Sequence, residues 1–375
     1  PLQNDFCKGK HRGACGDVAR GDFPVKRDRD LRGVSPHIVM NSLERTLALR
    51  AWLNGLFPAE KWDIEPASAD ASFRRYFRMR FPDRGESRIV MDAPPQQEDC
   101  RPFIQIAGLL RQAGLNAPAV LSQDLEQGFL LLTDLGTTTY LTALQHNDAD
   151  ADVLFGAATD ALIAWQLASR PGVLPPYDAA LLQRELDLFP DWYLARHLGL
   201  ALAPQQRAQL ERMFALILEN NLAQPAVYVH RDYMPRNLML SAPNPGILDF
   251  QDAVYGPVSY DIASLVRDAF ISWEEERALD WIVRYWDKAR RAGLPVGADF
   301  GDFYRDLEWI GLQRHLKVLG IFARIRHRDG KPAYIEDAPR FLNYVRGVVT
   351  RYNALGPLVQ LLDQIENCQP LQGKP

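Results

Sequence analysis

Asp232 and Asp249 stand seventeen residues apart, each at the end of an apolar run, and Asn237 lies five residues after the first of them. Val227 and Val229 alternate with their neighbours as in a short strand that feeds His230-Arg231-Asp232. Ile247-Leu248-Asp249-Phe250 reads as the next strand. Two strands of this kind would bring both acids to a common point, and few folds accommodate that arrangement. Every fixed position of the pattern H-R-D-x-x-x-x-N is present. Phosphoryl transfer from a nucleotide needs this set: a carboxylate to receive a hydroxyl proton, with an amide oxygen and a second carboxylate to hold Mg²⁺ against the ATP phosphates.

At 375 residues the chain is long enough for about two domains. A formal charge of −4 and a pI near 6.0 give no reason to expect nucleic acid or an anionic membrane as partner. No apolar run reaches the roughly eighteen residues of a spanning helix. Cys7, Cys15, Cys100 and Cys368 lack C-x-x-C spacing and read as reduced thiols, which suits a cytoplasmic protein. No protein partner is expected. Residues 1–39 are rich in glycine, proline and alternating charge, without apolar periodicity, and are expected to be a disordered or non-native tail. Met40 is the first methionine, and Asn41 with Glu44 has the spacing of a capping box.

A helix is expected where Leu49, Trp52, Leu53 and Leu56 recur at helical spacing. Strands are expected over 72–81, 87–91 and 128–133, with a helix over 98–113. Helical patterns dominate from about residue 137. Segregation of this kind implies an α+β protein with a small β-rich lobe at 40–133, a larger mainly helical lobe at 134–363 and a C-terminal tail at 364–375. Residues 132–136 would form the hinge.

The segments VHRDYMPRNLM, ILDFQDAVYGPVSYDIASL and DASFRRYFR resemble the aminoglycoside phosphotransferase-like kinases. MDAPP (91–95), RELDLFPDWYLARHLGL (184–200) and LQRHLKVLGIFARI (312–325) extend the likeness over roughly residues 43–350, and within the family it is greatest to the bacterial anomeric amino-sugar kinases. The resemblance implies a bilobal protein-kinase-like fold, ATP and Mg²⁺ as cofactors, and an amino-sugar substrate, N-acetylmuramate or N-acetylglucosamine, in cell-wall recycling. It makes Asp232 the catalytic base and Asn237 and Asp249 the metal ligands. His230 and Asp261 would brace the catalytic loop. Ser72, Phe73, Arg74 and Arg75 would cover the phosphates, with Asp134 and Leu135 at the nucleotide hinge. Gln251 and Asp252 are open between a second metal and a turn role. Arg231 and Arg236 are open between phosphate and a neighbouring acid.

One position departs from the protein-kinase pattern. The third-strand lysine that pairs with the phosphates is replaced by Met91, and Asp92 beside it has the wrong charge. Either Arg74 or Arg75 takes over, or the protein is a nucleotide-binding regulator without activity. Twelve residues between Asp249 and Asp261 leave no room for a regulated peptide-binding loop. Trp192, Tyr193 and Trp309 are candidate sugar platforms, against a core role. Arg314, Lys317, Arg324 and Arg328 fall close to one helical face, which would attract the carboxylate of N-acetylmuramate, against a simple solvated face. An aminoglycoside or another small metabolite remains the alternative substrate.

Overall fold

The computed structural model describes residues 42–68 and 73–368. The expectations for residues 1–39, for Asn41 and for Ser72 lie outside the described residues; of the C-terminal tail expected at 364–375, residues 364–368 are helical and the rest lie outside them. The chain divides into two units, residues 1–56 and 57–375. The first contributes helix α1 (Ser42–Leu56), in which Leu49 and Leu53 of the expected stripe are buried and Leu56 is exposed.

The second unit opens with an antiparallel sheet of five strands, β1 (Asp63–Ser68), β2 (Arg75–Phe81), β3 (Glu86–Asp92), β4 (Val120–Asp124) and β5 (Phe129–Thr133), in the order β1-β2-β3-β5-β4. Helix α2 (Arg101–Gln112) crosses from β3 to β4 and buries Phe103, Ile106 and Leu110. Burial alternates where β2 pairs with β3, so Met79 and Phe81 are covered while Arg80 is exposed. Strands β1 and β4 were not expected. In β1 Asp63, Glu65 and Pro66 are exposed, and a proline is tolerated there because the strand lies at the edge of the sheet.

Helices follow: α3 (Tyr140–Gln145), α4 (Ala151–Leu167), α5 (Ala179–Leu186) and α6 (Pro204–Ala223). Short strands then frame the acidic residues: β6 (Ala226–Val229), β7 (Leu238–Met239), β8 (Gly246–Ile247) and β9 (Val254–Pro257). The remainder is α7 (Tyr260–Val266), α8 (Glu275–Arg291), α9 (Phe300–Asp329), α10 (Ala338–Val349) and α11 (Gly356–Cys368). The strand expected over 247–250 stops at Ile247. Asp249 has φ 62°, which the extended backbone of a strand excludes.

Helix α9 organises this region. Asp299 caps its start by accepting from the Asp302 amide at 2.9 Å, and Gly330, at φ 68°, ends it in the left-handed conformation. Most of its middle is buried, from Leu307 through Lys317. The π-helical segment Phe189–His197 packs along it. There Gly320 is indispensable, because a Cβ would sit 2.4 Å from the carbonyl carbon and oxygen of Leu188. One apolar core joins Met91 and Leu130 of the sheet to Phe103, Tyr228 and Phe250. A second gathers Phe189, Tyr193, Phe214, Leu316 and Phe341. Gly320→Ala should therefore cost about 1–3 kcal/mol in urea unfolding, since backbone cannot rotate away as a side chain can. Unchanged stability would mean that the two helices can separate freely.

Candidate active site

Strand β6 delivers His230, Arg231 and Asp232 into a turn whose backbone is unusual. Arg231 has φ 74°, and Asp249 across the site has φ 62°. Left-handed conformations of this kind cost roughly 1–3 kcal/mol in residues other than glycine and persist only where surrounding structure enforces them. The enforcing group is Asp261, in the first turn of α7. Its two oxygens accept the backbone amides of His230 at 2.6 Å and Arg231 at 3.0 Å. Asp261 was expected to brace this loop, and both of these bonds run to it. Burial pushes its carboxyl up to about 7, opposed by the two amides and by the Arg314 guanidinium.

His230 ties the loop to the second acidic segment. Its Nδ1 accepts the Asp232 amide at 3.3 Å, so Nε2 carries the proton and donates to the Leu248 carbonyl at 3.0 Å. Burial holds its pKa down to about 4, against the Asp232 charge, which raises it. Tyr233 donates to the Ala158 carbonyl of α4 at 2.7 Å, and Phe250 stacks at 4.8 Å on Phe103 of α2. The loop is thus fastened on both sides, and Asp232, Asn237 and Asp249 remain partly exposed between the fastenings.

Asn237 turns its amide nitrogen towards the Asp232 carbonyl at 2.9 Å and Asp249 Oδ2 at 3.4 Å. Gln251 donates to Asp249 Oδ1 at 2.8 Å, whereas Asp252 is exposed and uses its carbonyl to accept from Arg231. Asn237 Oδ1 and the Asp249 carboxylate are hard oxygen donors at the edge of a partly open site. One carboxylate and one amide suit Mg²⁺, which keeps waters and takes its remaining ligands from phosphate. No cluster of three or more acidic, histidine or cysteine ligands occurs among the described residues, which is compatible with that mode.

Arg75 binds Asp92, the residue paired with it across β2 and β3. Arg74 pairs at 2.9 Å with Glu98, just before α2. Burial works against the Arg74 charge, but Tyr76, Glu98, Asp252 and Asp249 together outweigh it and raise the pKa above the usual range. Phe73 is exposed beside it. Asp134 was expected at the nucleotide. Its carboxylate accepts from Arg78 at 2.7 Å, the Ser87 hydroxyl at 2.7 Å and the Gly136 amide at 3.0 Å. Leu135 packs where a Cβ on Gly246 would lie 3.0 Å from it.

The expected substrate residues are placed differently. Tyr193 is 1% exposed and sits with Phe189 in the second core, so it offers no ring face to a sugar; Trp192 is partly buried against the same core, and Trp309 is also buried. Arg314 and Lys317 do not lie on a solvated face, because α9 runs through the interior at that point. Lys317 pairs with Glu185 at 3.0 Å and Arg314 lies near Asp261 and Asp268, whereas Arg328 is exposed and bound to Asp329. Of the two alternatives open for Arg231, an ion pair with an acid is present: it reaches Glu185 of α5 at 2.5 Å. Arg236 stacks at 4.8 Å on Phe270. Glu98, Tyr177, Glu185 and Gln313 were not anticipated. Glu185 falls within RELDLFPDWY, but one acid in an amphipathic helix gives no sign of its partner.

A five-stranded sheet followed by a helical region, with Asp232, Asn237 and Asp249 brought to one place, is the architecture of a protein-kinase-like phosphotransferase. Residues 63–296 match the phosphotransferase enzyme family, and the chain belongs to it. It is 55% identical, over 86% of its own length and 97% of the relative's, to the N-acetylmuramate/N-acetylglucosamine kinase of Pseudomonas aeruginosa. Its identity to the kinase of the same name from Pseudomonas putida is 51%, covering 86% and 95%. Among solved structures, ADP-bound aminoglycoside phosphotransferase APH(2'')-Ib shares the fold, with a TM-score of 0.52 and 14% identity over 80% of this chain and 98% of that one.

His230 generates a pH prediction. A histidine whose pKa falls from 6.5 unfolded to about 4 folded stabilises the protein above pH 6.5, and that contribution disappears as pH drops from 6.5 to about 4. The loss should be on the order of 3 kcal/mol. Urea unfolding at pH 7 and pH 4.5 should show a smaller drop for His230→Gln than for the parent. An equal drop in both would mean that the imidazole takes up its proton while folded.

Proposed function

We propose that this protein is an ATP-dependent kinase that phosphorylates the anomeric hydroxyl of N-acetylmuramate and N-acetylglucosamine. The carrying observation is the convergence of Asp232, Asn237 and Asp249 at one partly exposed place, in a chain more than half identical to a kinase named for those two sugars. Fold alone would leave the acceptor open, since aminoglycoside phosphotransferases share it at low identity.

In this reading Asp232 accepts a hydrogen bond from the sugar hydroxyl and takes its proton as the oxygen attacks the γ-phosphorus, whose bond to the bridging oxygen breaks so that ADP leaves. An anomeric hydroxyl is more acidic than an ordinary alcohol, so a carboxylate is a suitable base. Asn237 and Asp249 would hold Mg²⁺, which when bound neutralises charge on the phosphates. Arg74, braced by Glu98, would stand in for the missing strand lysine, while Arg75 secures the hairpin through Asp92. The oriented groups lower the barrier by positioning and charge, without a covalent enzyme intermediate. Among the described residues no helix is long and apolar enough to cross a membrane. We assign the activity to cytoplasmic recycling of cell-wall sugars, where ATP and the free sugars meet.

Asp232→Asn should keep the circular dichroism spectrum and lose roughly 10²–10⁴-fold in kcat, followed by ADP release with each sugar. Near-parental turnover would remove Asp232 from the role of base. Phosphorus NMR of the parental product should show phosphate on C1; phosphate on another carbon would overturn the anomeric assignment.

A further inference from the structure

Beneath the catalytic loop, Glu185 collects more partners than a surface-derived acid in α5 would need. Its Oε1 accepts Arg231 Nη2 at 2.5 Å and faces Lys317 Nζ at 3.0 Å. Its Oε2 accepts the Tyr177 hydroxyl and Gln313 Nε2, the latter at 3.1 Å. The residue is 5% exposed. Two cations and two neutral donors thus converge on one carboxylate from three places: the segment before α5, helix α9 and the catalytic loop. Tyr177 reaches this position because β9 carries glycine opposite it: a Cβ on Gly256 would lie 2.5 Å from the tyrosine Cβ.

Arg231 is the one of these partners that touches the chemistry. Its backbone adjoins Asp232 and holds φ 74°. Its Nη1 donates at 3.2 Å to the carbonyl of Asp252, three residues past Asp249. A planar guanidinium fixed at one end by a buried carboxylate has little freedom at the other. The side chain therefore spans from α5 to the segment carrying the metal ligand, while its own backbone carries the base.

Taking Asp232 as base and Asp249 as metal ligand, as proposed above, we propose that Glu185 is a positioning residue: through Arg231 it sets the separation between the base and the metal-binding carboxylate. It touches neither substrate nor metal. Its charge persists across the working pH range, since Lys317 and Arg231, despite burial, bring its pKa down to about 2. Protein kinases order comparable loops by phosphorylation and new arginine–phosphate pairs. Here the anion is built into α5, and the loop needs no covalent switch.

The test is steady-state kinetics with ATP and N-acetylglucosamine on Glu185→Gln, Arg231→Gln and the double variant. Glutamine keeps the shape of Glu185 but leaves Arg231 and Lys317 without their counter-charge. Glu185→Gln and Arg231→Gln should each lower kcat roughly tenfold or more, with KM for both substrates within about threefold. The double variant should be no slower than Arg231→Gln alone, because Glu185 acts through the arginine. A kcat within twofold of the parent for a folded Glu185→Gln, or losses that multiply in the double variant, would overturn the proposal. If Glu185→Gln does not fold, Arg231→Gln and Glu185→Asp decide. Full kcat in Arg231→Gln overturns it, and so does a Glu185→Asp variant whose loss falls only on KM. Asp232→Asn runs alongside: turnover in that variant would unseat the base itself, whereas an inert Asp232→Asn beside a fully active Glu185→Gln would unseat only the positioning role.

Discussion

The site depends on one buried carboxylate. Asp261 holds the amides of His230 and Arg231 with both its oxygens, and it is this pair of bonds that keeps Arg231 in a left-handed backbone. The aspartate is completely buried in the first turn of α7, so the loop is referenced to a helix and not to solvent. Desolvating a carboxylate is costly, and the two amides with the nearby Arg314 are the compensation. His230 extends the same logic to the opposite segment. A neutral imidazole can accept from the Asp232 amide and donate to the Leu248 carbonyl at once, which a charged one cannot.

Charge elsewhere in the site is handled by redistribution. The third strand carries no lysine; among the arginines of the second strand region, Arg75 pairs with the buried Asp92, and Arg74 is held by Glu98 in the field of Asp249 and Asp252. An arginine does not titrate in the physiological range and presents a fork of donors, so it suits phosphate recognition as well as a lysine, with stricter geometry. The interior beneath the loop follows the same pattern. Arg231 and Lys317 would repel each other without Glu185, and each is tolerated because the carboxylate is shared.

Family membership and site geometry bear on different questions. The fold is common to enzymes with unrelated acceptors, and a TM-score of 0.52 at 14% identity speaks to architecture alone. Acceptor identity is carried by the relatives at 51–55% identity, whose alignment spans nearly the whole of their length. Aromatic content was no guide. Tyr193 and Trp309 serve the second core, which is the core role that the sequence had set against a sugar platform.

The sequence by itself determined the local chemistry. His230, Asp232, Asn237 and Asp249 lie within twenty residues of one another, and the short strands β6, β7, β8 and β9 that frame them are formed within that same stretch or just before and after it. The end of β2 and α2 were legible because burial along each follows the period of its own backbone, whereas β5, buried at four consecutive positions, was legible as an apolar run. The tertiary structure decided everything that depends on which distant groups meet. Glu98 reaches Arg74 across 24 positions, Arg231 finds Glu185 across 46, and Lys317 meets that same carboxylate from α9. Periodicity correctly put Arg314 and Lys317 near one face of a helix but could not say that this face looks inward. A helix in the interior is surrounded on all sides, and only packing tells its charged residues which way is out.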